Sequence, residues 1–308
     1  MSAKLYLPSY PDGEGVTPAF RQHGWGGGGG GPRNALWWNP SDGGNEGMVA
    51  PIGRPYDYSL WTGSDYIWTS AWVMVYNHTE ASYEHPWWRI YNETYEGGVG
   101  DGPRYNSGDG KCQLWSYQYS AGVKSGYWDV NPTTIYGDAG DGTGQWNNLT
   151  WHHILIIHSW NGSMWIDGKR TWYNDNIPPT TTWSVEPGTN NGIRDLNIRF
   201  LGGRNASLSK PQTAHAGIAN MSFWHGNSLV STEWEGYTAI DPADTWLDRA
   251  AAALMQNTCD TLTSKTGLLW GYPLQEDCND VGPYAKHGTM NPNAQIASNN
   301  GTYDGPIF

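Results

Sequence analysis

Three groups of residues in this 308-residue chain have the types and spacings that chemistry requires. Carboxylates come first. Glu233 and Glu235 stand two apart in "TEWEG", a spacing that puts both on one face of a strand, where an acid and a nucleophile about 5 Å apart can cleave a glycosidic bond. Glu80 and Glu84 in "HTEASYEHP" straddle a loop and bring no partner Asp. Histidines come second, in "WHHILIIHSWNGSMWIDGKR". Alternation turns His152 and His153 to opposite faces and separates His152 from His158 by about 20 Å at ~3.3 Å per residue, too far to share a metal. They are expected to be structural, and Asp167, followed by Gly168, to form a turn rather than act as a base. Acidic glycine loops come third. Asp138 and Asp141 in "YGDAGDGTGQ", with Asp101 and Asp109 in "GDGPRYNSGDGK", offer the oxygen ligands calcium takes, although Asp-Gly is also ordinary turn chemistry. Calcium at Asp138 and Asp141 is the one cofactor with any support. Nucleophile and phosphate motifs are missing: there is no Gly-x-Ser-x-Gly or His-Glu-x-x-His, and "GWGGGGGGPR" lacks the Lys-Ser/Thr of a P-loop.

The aromatic residues are skewed to 20 Trp and 19 Tyr against 4 Phe, favouring rings that keep a polar edge near water. Trp37-Trp38 and Trp87-Trp88, with Tyr91, are candidates for stacking on sugars or for a protein interface. Neighbours on a strand face opposite ways, so at most one of each pair serves a given face, and core packing is the alternative. Tyr6, Tyr10, Phe20 and Trp25 lie among prolines ahead of six consecutive glycines. They suit an N-terminal arm anchored on another subunit.

Charge narrows the partners. A net charge of −12, with only 15% charged residues and no Lys/Arg run, argues against nucleic acid and anionic membranes. No apolar stretch reaches bilayer length, and the first twenty residues carry no secretory pattern. Synthesis in the cytosol without a signal peptide is therefore expected, leaving the seven Asn-x-Ser/Thr sequons unmodified. Three cysteines are too few for a disulfide framework.

The elements that must position these residues are short β-prone runs between Gly, Asn, Asp and Pro clusters: 66–76, 87–95, 112–120, 151–158, 163–167, 196–202 and 218–225. In the strand at 151–158, Trp151, His153, Leu155 and Ile157 share one face and His152, Ile154, Ile156 and His158 the other, so its middle is buried on both sides. Asn161-Gly162 and Asp167-Gly168 supply hairpin turns. One helix is expected over 241–257, capped by Asp241 with Pro242 in its first turn and an apolar stripe of Leu247, Ala250, Ala251 and Leu254. The chain divides into an arm (1–35), a β domain (36–240), and a helix with a closing segment (241–308).

"WHHILIIH" followed by "MWIDGKR", then "IRFLGGRN" and "HAGIANMSFWHGNSLVSTEWE", with "YIWTSAWVMVY" earlier, resembles the concanavalin A-like lectin/glucanase superfamily in its laminin G-like form. The resemblance covers about residues 60 to 236 and implies an all-β, two-sheet antiparallel jelly-roll sandwich. Members that cleave β-glucans carry a Glu-x-Asp-x-Glu strand, which this chain lacks, so the resemblance implies a protein that is not an enzyme. "GLLWGYPLQEDCNDVGPYAKHGTM" resembles the family's usual opening but stands at 267–290. Either the strand order is permuted or this is a separate closing segment. "KLYLPSY" with "VTPAF" and "GW" resembles the beginnings of some tailed-phage virion proteins. An extracellular-type module without an export signal fits a virion-surface protein, a capsid decoration or tail component released by lysis. Its expected partners are other virion proteins or copies of itself, and cell-surface glycans. The alternative is a stand-alone lectin or a glycan-cleaving enzyme of the same fold.

Overall fold

The computed structural model describes residues 34–38, 47–53, 67–75, 84–92, 100–106, 111–117, 119–120, 123–124, 127–129, 151–158, 163–173, 196–203, 212–213 and 216–297. Tyr6, Tyr10, Phe20, Trp25, Glu80, Asp109, Asp138, Asp141 and the Asn161-Gly162 turn lie outside them.

In chain order the strands are β1 (Ala35–Trp38), β2 (Met48–Gly53), β3 (Ile67–Val75), β4 (Glu84–Pro86), β5 (Trp88–Asn92), β6 (Gly100–Asn106) and β7 (Lys111–Tyr117). There follow β8 (Tyr119–Ser120), β9 (Val123–Lys124), β10 (Tyr127–Asp129), β11 (His152–His158), β12 (Ser163–Ile166), β13 (Lys169–Tyr173) and β14 (Leu196–Phe200). The remainder are β15 (Gly202–Gly203), β16 (Gln212–Thr213), β17 (Ala216–His225), β18 (Leu268–Tyr272), β19 (Thr289–Met290) and β20 (Ala294–Ala297), with helix α1 (Trp246–Gln256) between β17 and β18.

Sixteen of the strands form two antiparallel eight-stranded sheets, and β8-β9 and β15-β16 form two separate two-stranded pairs. The first runs β13-β12-β11-β3-β17-β1-β20 with β18 also on β17; the second runs β10-β7-β6-β5-β14-β2-β19 with β4 also on β6. The inner faces meet in one apolar core, to which the first sheet gives Leu36, Val73, Ile154, Ile156 and Ile218 and the second gives Met48, Ala50, Trp88, Ile198 and Phe200. This is the expected jelly-roll sandwich, because each strand's alternation buries one face against the other sheet.

The first sheet is covered on its outer face as well. There Leu155, Ile157, Trp68, Trp165 and Trp224 pack against Ala250, Ala251 and Leu254 of α1, so β11 is an interior strand buried on both sides, with Trp151, Leu155 and Ile157 all buried. The expected apolar stripe of the helix is the one that packs. Its start differs from expectation. Asp241 does not cap it, because its carboxylate accepts from Arg170 N at 3.0 Å and Ala243 N at 2.9 Å, and Asp244 has a left-handed φ of 48° that interrupts helical geometry. Thr245 is the N-cap, in a capping box with Asp248. Buried Asp248 also accepts from Trp165 Nε1 at 2.8 Å, while Trp72 Nε1 donates to the Met255 carbonyl at 3.1 Å near the other end. Helix and sheet are thus joined by indole hydrogen bonds as well as apolar contact.

The 267–290 block belongs to the sandwich itself. Its β18 pairs with β17 in the first sheet and its β19 with β2 in the second, and β20 then pairs with β1. Between β18 and β19 the chain is organised by Asp280, a buried carboxylate accepting from the backbone N–H groups of Gly271 (2.8 Å), Gly282 (2.7 Å) and Lys286 (2.8 Å). Cys259 and Cys278 are free thiols.

Candidate functional site

The histidine stretch forms a buried polar brace. Asp167 and Gly168 turn with φ of 51° and 77°, both positive as a tight hairpin turn requires. The turn brings the Asp167 carboxylate to His153 N (2.9 Å) and His152 Nδ1 (2.8 Å). His153 Nε2 lies 3.1 Å from Ser70 Oγ, and burial pushes its imidazole down to about 3. Serine, histidine and aspartate are all present, but Asp167 engages the His153 backbone rather than its ring, and His153 is fully enclosed. The group holds β11 to β3 and to the turn.

"TEWEG" forms a short 3-10 turn, Ser231–Trp234, not a strand, so Glu233 and Glu235 do not share a strand face. Both Glu233 carboxylate oxygens are occupied: Oε1 accepts from Thr266 Oγ1 at 2.7 Å and Oε2 from Thr266 N at 2.8 Å. Those bonds, Thr266's hydroxyl foremost, hold the Glu233 carboxyl below its ordinary value, unlike the raised value a catalytic acid needs. Among the described residues no three His, Cys, Asp or Glu side chains group as metal ligands, and no helix is long and apolar enough to cross a membrane.

The paired tryptophans are core residues. Trp37, Trp38, Trp87 and Trp88 are each at most 1% exposed, so none presents a stacking face to a sugar. Trp37 and Trp38 do alternate, Trp37 packing edge-on to Trp151 at 5.4 Å and Trp38 entering the inter-sheet core. Both are buried because the first sheet is covered on both sides. Trp87 and Trp88 enter the same core, against the alternation argument, because Trp87 lies in the break between β4 and β5 and not on a continuous strand.

Tyr91 belongs to a different surface. On β14, Ile198 and Phe200 are core residues, and their register partners on β5 are Ile90 and Trp88. Tyr91 and Arg89, paired with Asn197 and Arg199, therefore occupy register positions on the second sheet's outer face. Pairing of Tyr91 with Gly100, then of Gly100 with Tyr117 and Gly102 with Trp115, carries this face onto β6 and β7. Tyr127 on β10 pairs with Trp115 and continues the row. Asp101, expected in a calcium loop, instead sits within β6, paired with Ile90 and Ser116 on the inner register. The outer face thus has two glycines two apart on one strand. Arg89 and Tyr91 occupy the positions on one side, Trp115 and Tyr117 those on the other. At ~4.8 Å per strand β5 and β7 are about 10 Å apart, and the strand between them has no side chain at Gly100 or Gly102. This glycine-floored stretch, the trough, lies between aromatic and arginine register positions.

No protein-family model matches the chain, and no curated protein matches it. Partial likenesses to solved structures are found. Trypanosoma rangeli sialidase in complex with sialic acid aligns at 18% identity over 62% of this chain and 25% of its own, with a TM-score of 0.38. Sheep galectin-11 aligns at 9% identity over 59% of this chain and 99% of its own, TM-score 0.32. Caenorhabditis elegans galectin LEC-6 aligns at 10% identity over 60% and 95%, TM-score 0.28. The chain spans about a quarter of the sialidase.

Proposed function

We propose that this protein is a non-enzymatic, glycan-binding jelly roll whose binding surface is the outer face of the second sheet. The observation that carries the reading is the pair Gly100 and Gly102 at outer register positions between Arg89/Tyr91 and Trp115/Tyr117. A glycine inside a strand costs about 0.5–1 kcal/mol relative to alanine and often marks the close approach of a ligand. Two on one face, bordered by aromatic residues, suit a flat polar ring that stacks on aromatic surface and takes hydrogen bonds at its rim. The occupied oxygens of Glu233 support the absence of hydrolysis.

Binding of the full chain to a glycan array, followed by titration of Trp115→Ala and Gly102→Val, tests the site. The first removes an aromatic border and the second fills the floor with a residue that strands favour. Each is expected to weaken binding at least tenfold, with the urea midpoint of Trp115→Ala unchanged and that of Gly102→Val unchanged or raised. Undiminished binding by both variants refutes the assignment.

Within this reading the chain serves as a capsid decoration or tail protein. Residues 1–35 attach it to other virion proteins or to copies of itself, and the trough meets cell-surface glycans. The support is the glycine-run segment with Tyr6, Tyr10, Phe20 and Trp25 set among prolines. Deleting residues 1–33 is expected to abolish particle association and spare glycan binding. A truncated chain that still joins particles refutes the arm. A glycan-binding protein absent from purified particles points to the stand-alone lectin.

A further inference from the structure

One of the seven Asn-x-Ser/Thr sequons, Asn220-Met221-Ser222, lies inside β17. It falls on a bulge. Ala219 pairs with Trp72 and Ser222 with Ser70 on β3, so Asn220 and Met221 stand opposite the single residue Ala71. Asn220 takes a left-handed φ of 52°, which asparagine tolerates better than most residues. Its Nδ2 donates to the Asn257 carbonyl at 2.8 Å and its Oδ1 accepts from Cys259 N at 2.6 Å. Its own backbone N–H donates to the Pro273 carbonyl at 3.0 Å. Asn257 is the C-cap of α1, and Pro273 directly follows β18. One residue therefore pins the bulge both to the end of the helix and to the closing segment. The site is internal: Asn220 is 2% exposed, and Ser222 is 1% exposed with its Oγ accepting from Trp224 Nε1 at 2.8 Å.

An N-linked glycan is a bulky, water-seeking group that belongs on a surface. In its transfer an oligosaccharyl lipid diphosphate gives its sugar C1 to the asparagine Nδ2. The C1–O bond to the diphosphate breaks, the Nδ2–C1 bond forms, and one Nδ2 proton is lost to solvent. At Asn220 the product carries its sugar on the atom that sits against the Asn257 carbonyl. Folding would bury the sugar hydroxyls without partners and overfill a packed interior, and both are destabilising. We infer that Asn220 is a glycan acceptor only while the chain is unfolded, and that its modification blocks this fold. The protein is therefore made where no N-glycosylating transferase acts. The packing around β17 carries this, independently of the glycan-binding reading.

The test directs the full chain, behind a cleavable secretory leader, into a eukaryotic secretory pathway. Occupancy at Asn220 is mapped by peptide mass spectrometry in the secreted, protease-resistant fraction and in the fraction retained by the cell. Occupancy in the retained fraction is expected to exceed that in the secreted fraction at least tenfold. A secreted, protease-resistant protein glycosylated at Asn220 overturns the inference. An Asn220 unoccupied in both fractions overturns it as well, because the unfolded chain is then no acceptor. Ser222→Ala removes the acceptor motif, keeps the Asn220 amide, and is expected to raise the secreted yield at least threefold; an unchanged yield means that glycosylation at Asn220 is not what blocks folding. Made in a bacterial cytosol without the transferase, Ser222→Ala is expected to fold, which separates loss of the motif from loss of the fold. Asn220→Asp made the same way keeps an acceptor for Cys259 N and loses the donor to the Asn257 carbonyl, and its urea midpoint is expected to fall. A midpoint equal to that of the unaltered chain overturns the role of Asn220 as a pin.

Discussion

Acid should weaken this fold well before its carboxylates protonate, and His153 is the reason. The side chain is completely buried, edge-on to Trp72 with ring centroids 5.5 Å apart, and Nε2 is 3.1 Å from Ser70 Oγ. Burial pushes its imidazole from 6.5 to about 3, with the Asp167 carboxylate opposing only part of the shift. The unfolded chain takes up this proton below about pH 6.5 while the folded chain refuses it until about pH 3. Between those values the unfolded state binds more protons, so stability is complete above pH 6.5 and falls as the pH drops. At about 1.4 kcal/mol per pH unit, descent from pH 7 to pH 5 removes about 2 kcal/mol, and the whole window about 5 kcal/mol. Urea unfolding followed by tryptophan fluorescence at pH 7, 6 and 5 measures the slope. His153→Gln removes the proton acceptor and keeps the contact between His152 and Asp167, 2.8 Å apart. The variant is expected to be less stable at pH 7 and flatter with pH. If both proteins lose the same stability between pH 7 and pH 5, His153 is not the group responsible and the reasoning fails.

Asp280→Ala strips three backbone N–H groups of a buried charged acceptor and is expected to cost about 3–5 kcal/mol, since each such bond contributes ~1.5–3 kcal/mol less than additively; a urea midpoint implying under ~1 kcal/mol contradicts the brace. Gly217→Ala sets a Cβ 2.6 Å from Trp37 Cζ3 and 2.9 Å from Trp151 Cη2, an overpacking expected to cost about 1–3 kcal/mol in the same assay. No reducing sugar should be released from β-glucans; release that Glu233→Gln or Glu235→Gln abolishes would mean that "TEWEG" has been misjudged.

The sandwich was legible because hydrophobic alternation is local. Ile154 and Ile156 enter the inter-sheet core while Leu155 and Ile157 enter the cluster under the helix, as their order in "HHILIIH" requires. Asp167-Gly168 was legible for the same reason, since its chemistry is complete in two residues. The start of the helix was not. Asp241 and Pro242 are good capping chemistry, yet Asp241 is drawn to Arg170, 71 residues earlier, and propensity carries no record of a competing tertiary partner. The tryptophan pairs were misleading as binding candidates because exposure depends on what covers a sheet. The cover on Trp37 comes from β17 and Trp151, distant in sequence. The trough was hidden by composition. "GVGDGPRYN" looks like a loop, yet it contains β6, and the signal it held was two glycines spaced by two ahead of β-prone residues. Asp101 was consequently assigned to a turn when it is a strand residue.

The two sheets divide the work according to how their outer faces are finished. The first spends its aromatic residues internally: Trp68 stacks on Trp246 at 5.7 Å, Trp224 meets Trp234 edge-on, and Trp165 binds the helix cap. A face sealed in this way gains stability and loses any surface for a ligand. The second sheet's outer register positions include Arg89, Tyr91, Gly100, Gly102, Trp115 and Tyr117, the positions on which the proposed glycan site rests. The closing segment ties the two roles together. Asp280 fixes the chain between β18 on the first sheet and β19 on the second; β19 pairs with β2, β2 with β14, and β14 carries Arg199 opposite Arg89. The buried carboxylate thus braces the edge of the second sheet. Its removal should disturb the trough from that edge before it unfolds the helix-covered sheet.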